Sequence, residues 1–272
     1  MSAVVQPIPR GIGRRIGRGA RDWIPAALVL VLGIGSWQVL VDVLDIQRFL
    51  LPQPSAIART FWEERDALWS AGLYTFREAL GGFLIGSAAA ILIAMLLARF
   101  RRVGSALMPL AIAANAIPIV AFAPIFNAWF DVLSPTSKIA VAAVLCFFPV
   151  LVNTLRGLTS VRPRSIELMR SYAAGELQIF RKVRFPAALP FIFSALKVAS
   201  VLAMIGAIVG EYFGGSQEAL GIQIRNSAAL FQFETAWAAI MVASILGIAF
   251  YASVALLERA VLRWDPSRRR AE

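Results

Sequence analysis

Six predominantly apolar stretches, each at least 20 residues long, divide the chain: 24–43, 78–98, 106–130, 138–157, 190–212 and 236–257. About 20 helical residues cross the ~30 Å of bilayer hydrocarbon, so each is predicted as a membrane span. The segments between them vary in length, and the long stretch from Arg156 to Pro190 is the one richest in basic residues. The predicted fold class is an all-α polytopic membrane protein with six transmembrane helices.

Composition agrees with this pattern. The chain is 59% hydrophobic and only 16% charged, with a mean hydropathy of +0.71. A water-soluble globule of 272 residues could not hide that much apolar surface. The net charge of +11 is distributed in short runs between apolar blocks. It forms no basic stripe interleaved with aromatics, so nucleic acid is not a predicted partner. Arg10, Arg14, Arg15, Arg18 and Arg21 precede the first span, and Arg99, Arg101 and Arg102 follow the second. Seven basic residues from Arg156 to Arg184 lie before the fifth span, and Arg259, Arg263 and Arg268–Arg270 lie near or after the end of the sixth. The alternate segments hold fewer: Arg48, Arg59, Arg65 and Arg77, then Lys138, then Arg225. The positive-inside rule makes the richer side cytoplasmic and places both termini there. The first span is longer than a signal-peptide core and is read as an uncleaved anchor. With one cysteine, Cys146, and no histidine, the chain has no internal disulfide, no His/Cys zinc site and no His-dependent nucleophile. No metal, cofactor or catalytic group is predicted, and Cys146 is read as a small core residue.

Gly82, Gly86 and Ala90 recur every four residues in the second span, as do Ala199, Ala203 and Ala207 in the fifth. Such stripes let helix backbones approach closely, although Gly and Ala are also common in membrane helices generally. The third stretch contains Pro109, Pro118 and Pro124. A helix interrupted so often in lipid must be buried in protein or line a cavity. In the long polar segment, Ser165 is predicted to cap a helix with Glu167 in its first turn. That helix runs through Leu168, Met169 and Tyr172 to Ala174, with Gly175 as its stop. A second short helix places Leu177, Phe180 and Val183 on one face, and Pro186 and Pro190 end the segment. Two helices too short to span lie on the membrane or dock into another protein.

This segment resembles the EAA loop of ABC-importer permeases. The pattern there is Glu-Ala-Ala, three residues, Gly, nine residues, Ile, one residue, Leu-Pro. Here it falls on Glu167-Leu168-Met169, Ala173, Val183 and Phe185-Pro186 with the spacing kept. Glu167 and Pro186 match outright; Ala173 stands where the pattern has glycine, with Gly175 two positions on. The runs Asn115-Ala116-Ile117-Pro118, Phe122-Ala123-Pro124, Phe147-Phe148-Pro149, Gln178–Val183, Leu51–Ser55 and Ala219-Leu220-Gly221 resemble the nitrate/sulfonate/taurine branch. That branch also contains riboflavin and thiamine-precursor permeases. The resemblance implies a type I importer permease, usually a homodimer in the bilayer. It implies cytosolic ATPase subunits gripping the EAA loop and a periplasmic or lipid-anchored solute-binding protein. The ATPase-coupling residues it implies are Glu167, Leu168, Tyr172, Ala173, Gly175, Phe180, Val183 and Pro186. No phosphate-binding Gly-rich loop ending in Lys-Ser or Lys-Thr occurs, so ATP hydrolysis is assigned to a partner chain.

The implied organisation is a basic tail, 1–23; a first span and external segment, 24–77; a transmembrane domain, 78–264, with the EAA loop at about 160–190; and a tail, 265–272. Candidates for the translocation path are Asn115, Pro118, Asn127 and Glu211. The two asparagines bond solute, or satisfy carbonyls freed by Pro118 and Pro124. Glu211 is functional if buried and solvated if interfacial, and Lys197 is read as snorkelling to the interface. The rival reading is a stand-alone secondary transporter or channel, which predicts inverted repeats or buried charge relays.

Overall fold

The computed structural model describes residues 13–47, 50–114 and 118–263. Its compact units are residues 1–59 and 60–272. In the first, α1 (Gly13–Val43) carries the apolar stretch Ile24–Val43, most of whose side chains are exposed. Past a turn, the Gln53 amide donates to Asp42 at 2.5 Å, and the Ser55 N–H donates to Gln38 at 3.1 Å. Helix α2 (Pro54–Glu63) crosses the boundary between the units.

The second unit is built on α3 (Arg65–Arg99), α6 (Pro135–Thr159) and α9 (Phe185–Tyr212), which pack on one another, with α11 (Phe233–Val261) against α9 and α3. All are apolar around most of their circumference, because lipid rather than water is the solvent for the outer face. Leu84, Ile85, Leu92 and Leu96 of α3 accordingly point outward, and Ala79, Ala90, Ala94 and Ala98 point inward.

Small residues set the spacing of the three central helices. A methyl at Gly86 would lie 2.2 Å from the Ala143 carbonyl oxygen, and one at Gly82 2.4 Å from the Ala142 Cβ. A methyl at Gly206 of α9 would likewise lie 2.7 Å from the Ala142 Cα. Ala199, Ala203 and Ala207 are fully buried, and the Cys146 thiol donates to the Ala199 carbonyl at 3.2 Å. Both small-residue stripes are therefore contact faces.

Five helices among the described residues are long and apolar enough to cross a membrane. The predicted third span, 106–130, is instead interrupted. Helix α4 (Arg101–Ala114) contains Pro109 without ending there. A 3₁₀ turn, Ile119–Phe122, begins after Pro118, and α5 (Ala123–Phe130) restarts with Pro124 in its first turn. Proline lacks the donor that a continuing helix needs, whereas the first turn needs none. The remaining elements are α7 (Pro163–Ser171), α8 (Glu176–Ile179) and α10 (Leu220–Ala229).

Candidate functional site

The long polar segment folds as an elbow whose base is part of the helical core. Pro163, not a Ser165 cap, starts α7: Arg162 is the extended N-cap residue and makes no side-chain cap bond. A proline already holding the helical φ suits that first position. Glu167 consequently falls one turn later than predicted, exposed and, among the described residues, without an ion-pair partner. The helix ends at Tyr172, where the Ala173 N–H donates to Arg170 at 2.9 Å and the Ala174 N–H to Met169 at 3.1 Å. Ala173 itself is left-handed, with φ of 55°. The turn for which the resembled pattern uses glycine is thus retained by an alanine, at a conformational cost of about 1 kcal/mol. Gly175, with φ of −70°, is the N-cap of α8 and not the stop of α7.

After α8 comes one π turn, Phe180–Arg184, closed by the Phe185 N–H on the Phe180 carbonyl. This wider turn changes the helical register. The predicted common face of Leu177, Phe180 and Val183 is buried unevenly. Leu177 is 70% exposed, while Phe180 packs on the core beside Phe185, with ring centroids 6.2 Å apart, and Val183 is half-buried. Ile179, which the spacing argument passed over, is the fully buried residue of this stretch. Nor do Pro186 and Pro190 end anything. Pro186 sits in the first turn of α9, where no donor is missed, and α9 continues through Pro190 to Tyr212. The elbow therefore exposes Glu167, Leu168 (57%) and Tyr172 (75%) on a short helix joined to a continuous span.

At the far end of α9 lies a second polar cluster. Glu211 is fully buried, and its Oε2 accepts the Gly221 N–H at 2.8 Å. Beside it the Leu220 N–H donates to the Thr75 hydroxyl at 3.1 Å. A Cβ at Gly221 would come within 2.5 Å of the Ile208 carbonyl and 2.6 Å of the Glu211 Cβ, so only glycine lets α10 start against α9. Lys138, 1% exposed in the first turn of α6, donates its ammonium to the Val132 carbonyl and, at 3.3 Å, to that of Ser134. Glu78 of α3 is buried as well. Both amide atoms of Asn127, one oxygen of Glu78 and one of Glu211 are buried without a hydrogen-bond partner among the described residues. Asn127 thus satisfies no carbonyl freed by Pro118 or Pro124; its amide abuts Gly214, whose φ is 145°.

Of the predicted path residues, Asn127 and Glu211 come together at this end of the bundle. Pro118 is exposed before the 3₁₀ turn, and Asn115 lies outside the described residues. Glu78, Thr75 and Lys138 were not singled out as candidates. Topology carried a signal for the charged pair: the starts of the second and fourth spans and the end of the fifth share one side, so their charges share one depth. Lys197 does not snorkel. It pairs with Glu258 of α11 at 2.7 Å, with side-chain exposures of 22% and 8%.

Residues 82–263 match the family described as the binding-protein-dependent transport system inner membrane component. The chain belongs to this family. It is a permease subunit of an ATP-binding-cassette importer, whose family works with ATPase and solute-binding partners. The permease is 35% identical to the riboflavin transport system permease protein of Chloroflexus aurantiacus over 90% of each chain. It is 34% identical to the formylaminopyrimidine transport permease protein of Halalkalibacterium halodurans, covering 88% of this chain and 95% of the relative. It is 29% identical to a putative aliphatic sulfonates transport permease protein of Bacillus subtilis, covering 94% and 93%. Among solved structures it is similar to the MetNI methionine ABC transporter in inward-facing conformations. The TM-score is 0.53 at 19% identity, over 74% of this chain and 97% of that one, a likeness in fold.

Proposed function

We propose that the permease carries a small heteroaromatic solute, of the riboflavin or pyrimidine class, released by an extracytoplasmic binding protein. The support is that two relatives at 35% and 34% identity are named for such solutes, ahead of the sulfonate relative at 29%. The permease itself performs no hydrolysis, and two copies form the path with both termini in the cytoplasm. Power enters at the elbow. One observation carries this reading: Leu168 on α7 and Tyr172 at its C-cap stand exposed while Ile179 and Phe180, a few residues on, are anchored in the core. An apolar surface held on a short rigid link is what a neighbouring motor needs in order to push a span. Glu167 adds a charge to the docking face, and Ala173, Gly175, Val183 and Pro186 shape the link. Asn127 and Glu211 border the outer end of the path, with Asn115 and Pro118 contributing from the broken third stretch.

The test is reconstitution of the permease with its ATPase and binding protein in proteoliposomes. Tyr172→Ala and Leu168→Ala are expected to abolish most solute-stimulated hydrolysis while insertion stays intact. Normal stimulation in both would remove the elbow from the coupling path. Uptake driven by an ion gradient in ATP-free vesicles would favour a stand-alone transporter. Binding of only alkyl sulfonates by the partner protein would overturn the solute class.

A further inference from the structure

At the elbow end of the bundle, the end of α3, α8 and the π turn border an open cavity of about 580 Å³. It is lined by the apolar side chains of Met95, Leu96, Leu177 and Phe180 and by the cationic Arg99 and Arg184. Glu176 also lines it, but that carboxylate is held by Arg170 at 2.8 Å. Neither Arg99 nor Arg184 has an ion-pair partner among the described residues. The cavity therefore carries surplus positive charge, whereas Arg181 and Lys182 of the same turn are exposed outside it. Its apolar wall does not stop at the rim. Leu92, Leu96 and Phe100 are each more than half exposed and follow one another at four-residue intervals, a greasy track running back along the span. Arg99 lies in the last turn of α3, where the apolar stretch gives way to the polar segment.

We infer that this cavity is a binding site for one anionic phospholipid. The phosphate sits between Arg99 and Arg184, and an acyl chain lies along Leu96 and Leu92. Charge complementarity selects an anion, and the apolar track selects a lipid over a free phosphate, which would leave those walls unused. Basic pockets beside membrane helices hold lipid headgroups in this way. A bound lipid would tie the end of α3 to the turn that launches α9.

Binding is tested on the purified, delipidated full chain in detergent, by native mass spectrometry and thermal shift. Phosphatidylglycerol, phosphatidylcholine and inorganic phosphate serve as probes. Phosphatidylglycerol is expected to form one saturable adduct. Arg99→Gln and Arg184→Gln should each weaken it about fivefold, and the pair about thirtyfold, from the usual strength of a basic residue at an anionic headgroup. The charge-matched pair Arg181→Gln/Lys182→Gln, outside the cavity, should leave the adduct nearly unchanged. Because the single variants change exposed or half-exposed groups, they keep the test open if the double variant misfolds. Equal loss in the charge-matched pair would reduce the effect to general surface attraction and overturn the site. Equal binding of phosphatidylcholine would also overturn it, as would an equal shift with phosphate alone. Complete expulsion of the adduct when the ATPase assembles would identify the cavity as a protein-docking surface instead. None of these outcomes depends on which solute is carried.

Discussion

Replacing Lys197 by methionine would take away the ammonium that Glu258 faces between α9 and α11. The two groups face each other at 2.7 Å between α9 and α11, with the carboxylate side chain 8% exposed. At an effective dielectric of about 20, that distance corresponds to about 6 kcal/mol of gross attraction. Desolvation of both ions cancels much of it, and removing one partner of a buried pair typically costs about 3–5 kcal/mol because the other charge is left behind. An ordinary interhelical hydrogen bond in a membrane is worth about 0.6 kcal/mol, so the two explanations are separable. Lys197→Met is expected to destabilise the permease by about 3 kcal/mol, the low end, since the lysine is partly exposed. Lys197→Met/Glu258→Gln should recover at least half of that, because no charge remains buried. The assay is reversible unfolding of the full chain in mixed micelles, run as a double-mutant cycle. A loss under about 1 kcal/mol in the single variant would refute the reasoning, as would a double variant equal to the sum of its singles.

Gly86→Ala puts a methyl 2.2 Å from the Ala143 carbonyl oxygen, about 1 Å inside a normal C···O contact. It should cost about 1–3 kcal/mol in the same micelle assay, whereas Gly33→Ala, with open space around it, should cost nothing measurable. Lys138→Met removes a charged donor from the Val132 and Ser134 carbonyls and should lower stability by about 1.5–3 kcal/mol. Relief of the strained φ in Ala173→Gly is expected to stabilise the end of α7 by about 0.5–1 kcal/mol. That would be read as slower deuterium exchange at the backbone amides of positions 173 and 174, with faster exchange counting against it.

The long apolar helices were legible because lipid imposes a simple demand: every backbone group is satisfied within its own helix, and length follows from thickness. What that demand does not fix was misread. The second span is the apolar part of a helix beginning at Arg65, thirteen residues before its hydropathic edge, because polar residues continue a helix as readily as apolar ones. Pro109, Pro186 and Pro190 were read as breaks, yet all three lie within helices. Only Pro118 and Pro124 mark the interruption, and spacing alone cannot say which proline falls in a first turn. The elbow's residue spacing was readable, but neither the π turn nor the deeper burial of Ile179 and Phe180 relative to Leu177 was. The polar cluster was half legible: Glu211 stood out as an acid in an apolar run. Glu78, Thr75 and Lys138 needed the fold to bring them beside it.

Helix α9 has a mechanical consequence. Its 28 residues run without interruption from the elbow to Tyr212, next to Glu211, a rod of about 42 Å at 1.5 Å per residue. Swinging that rod by about 5° about one end carries its tip through about 4 Å, more than a hydrogen bond can stretch. The 2.8 Å bond from Gly221 to Glu211 therefore acts as a bolt at the opposite end of the lever. Any push strong enough to tilt the rod must either draw the bolt or drag the start of α10 along with it.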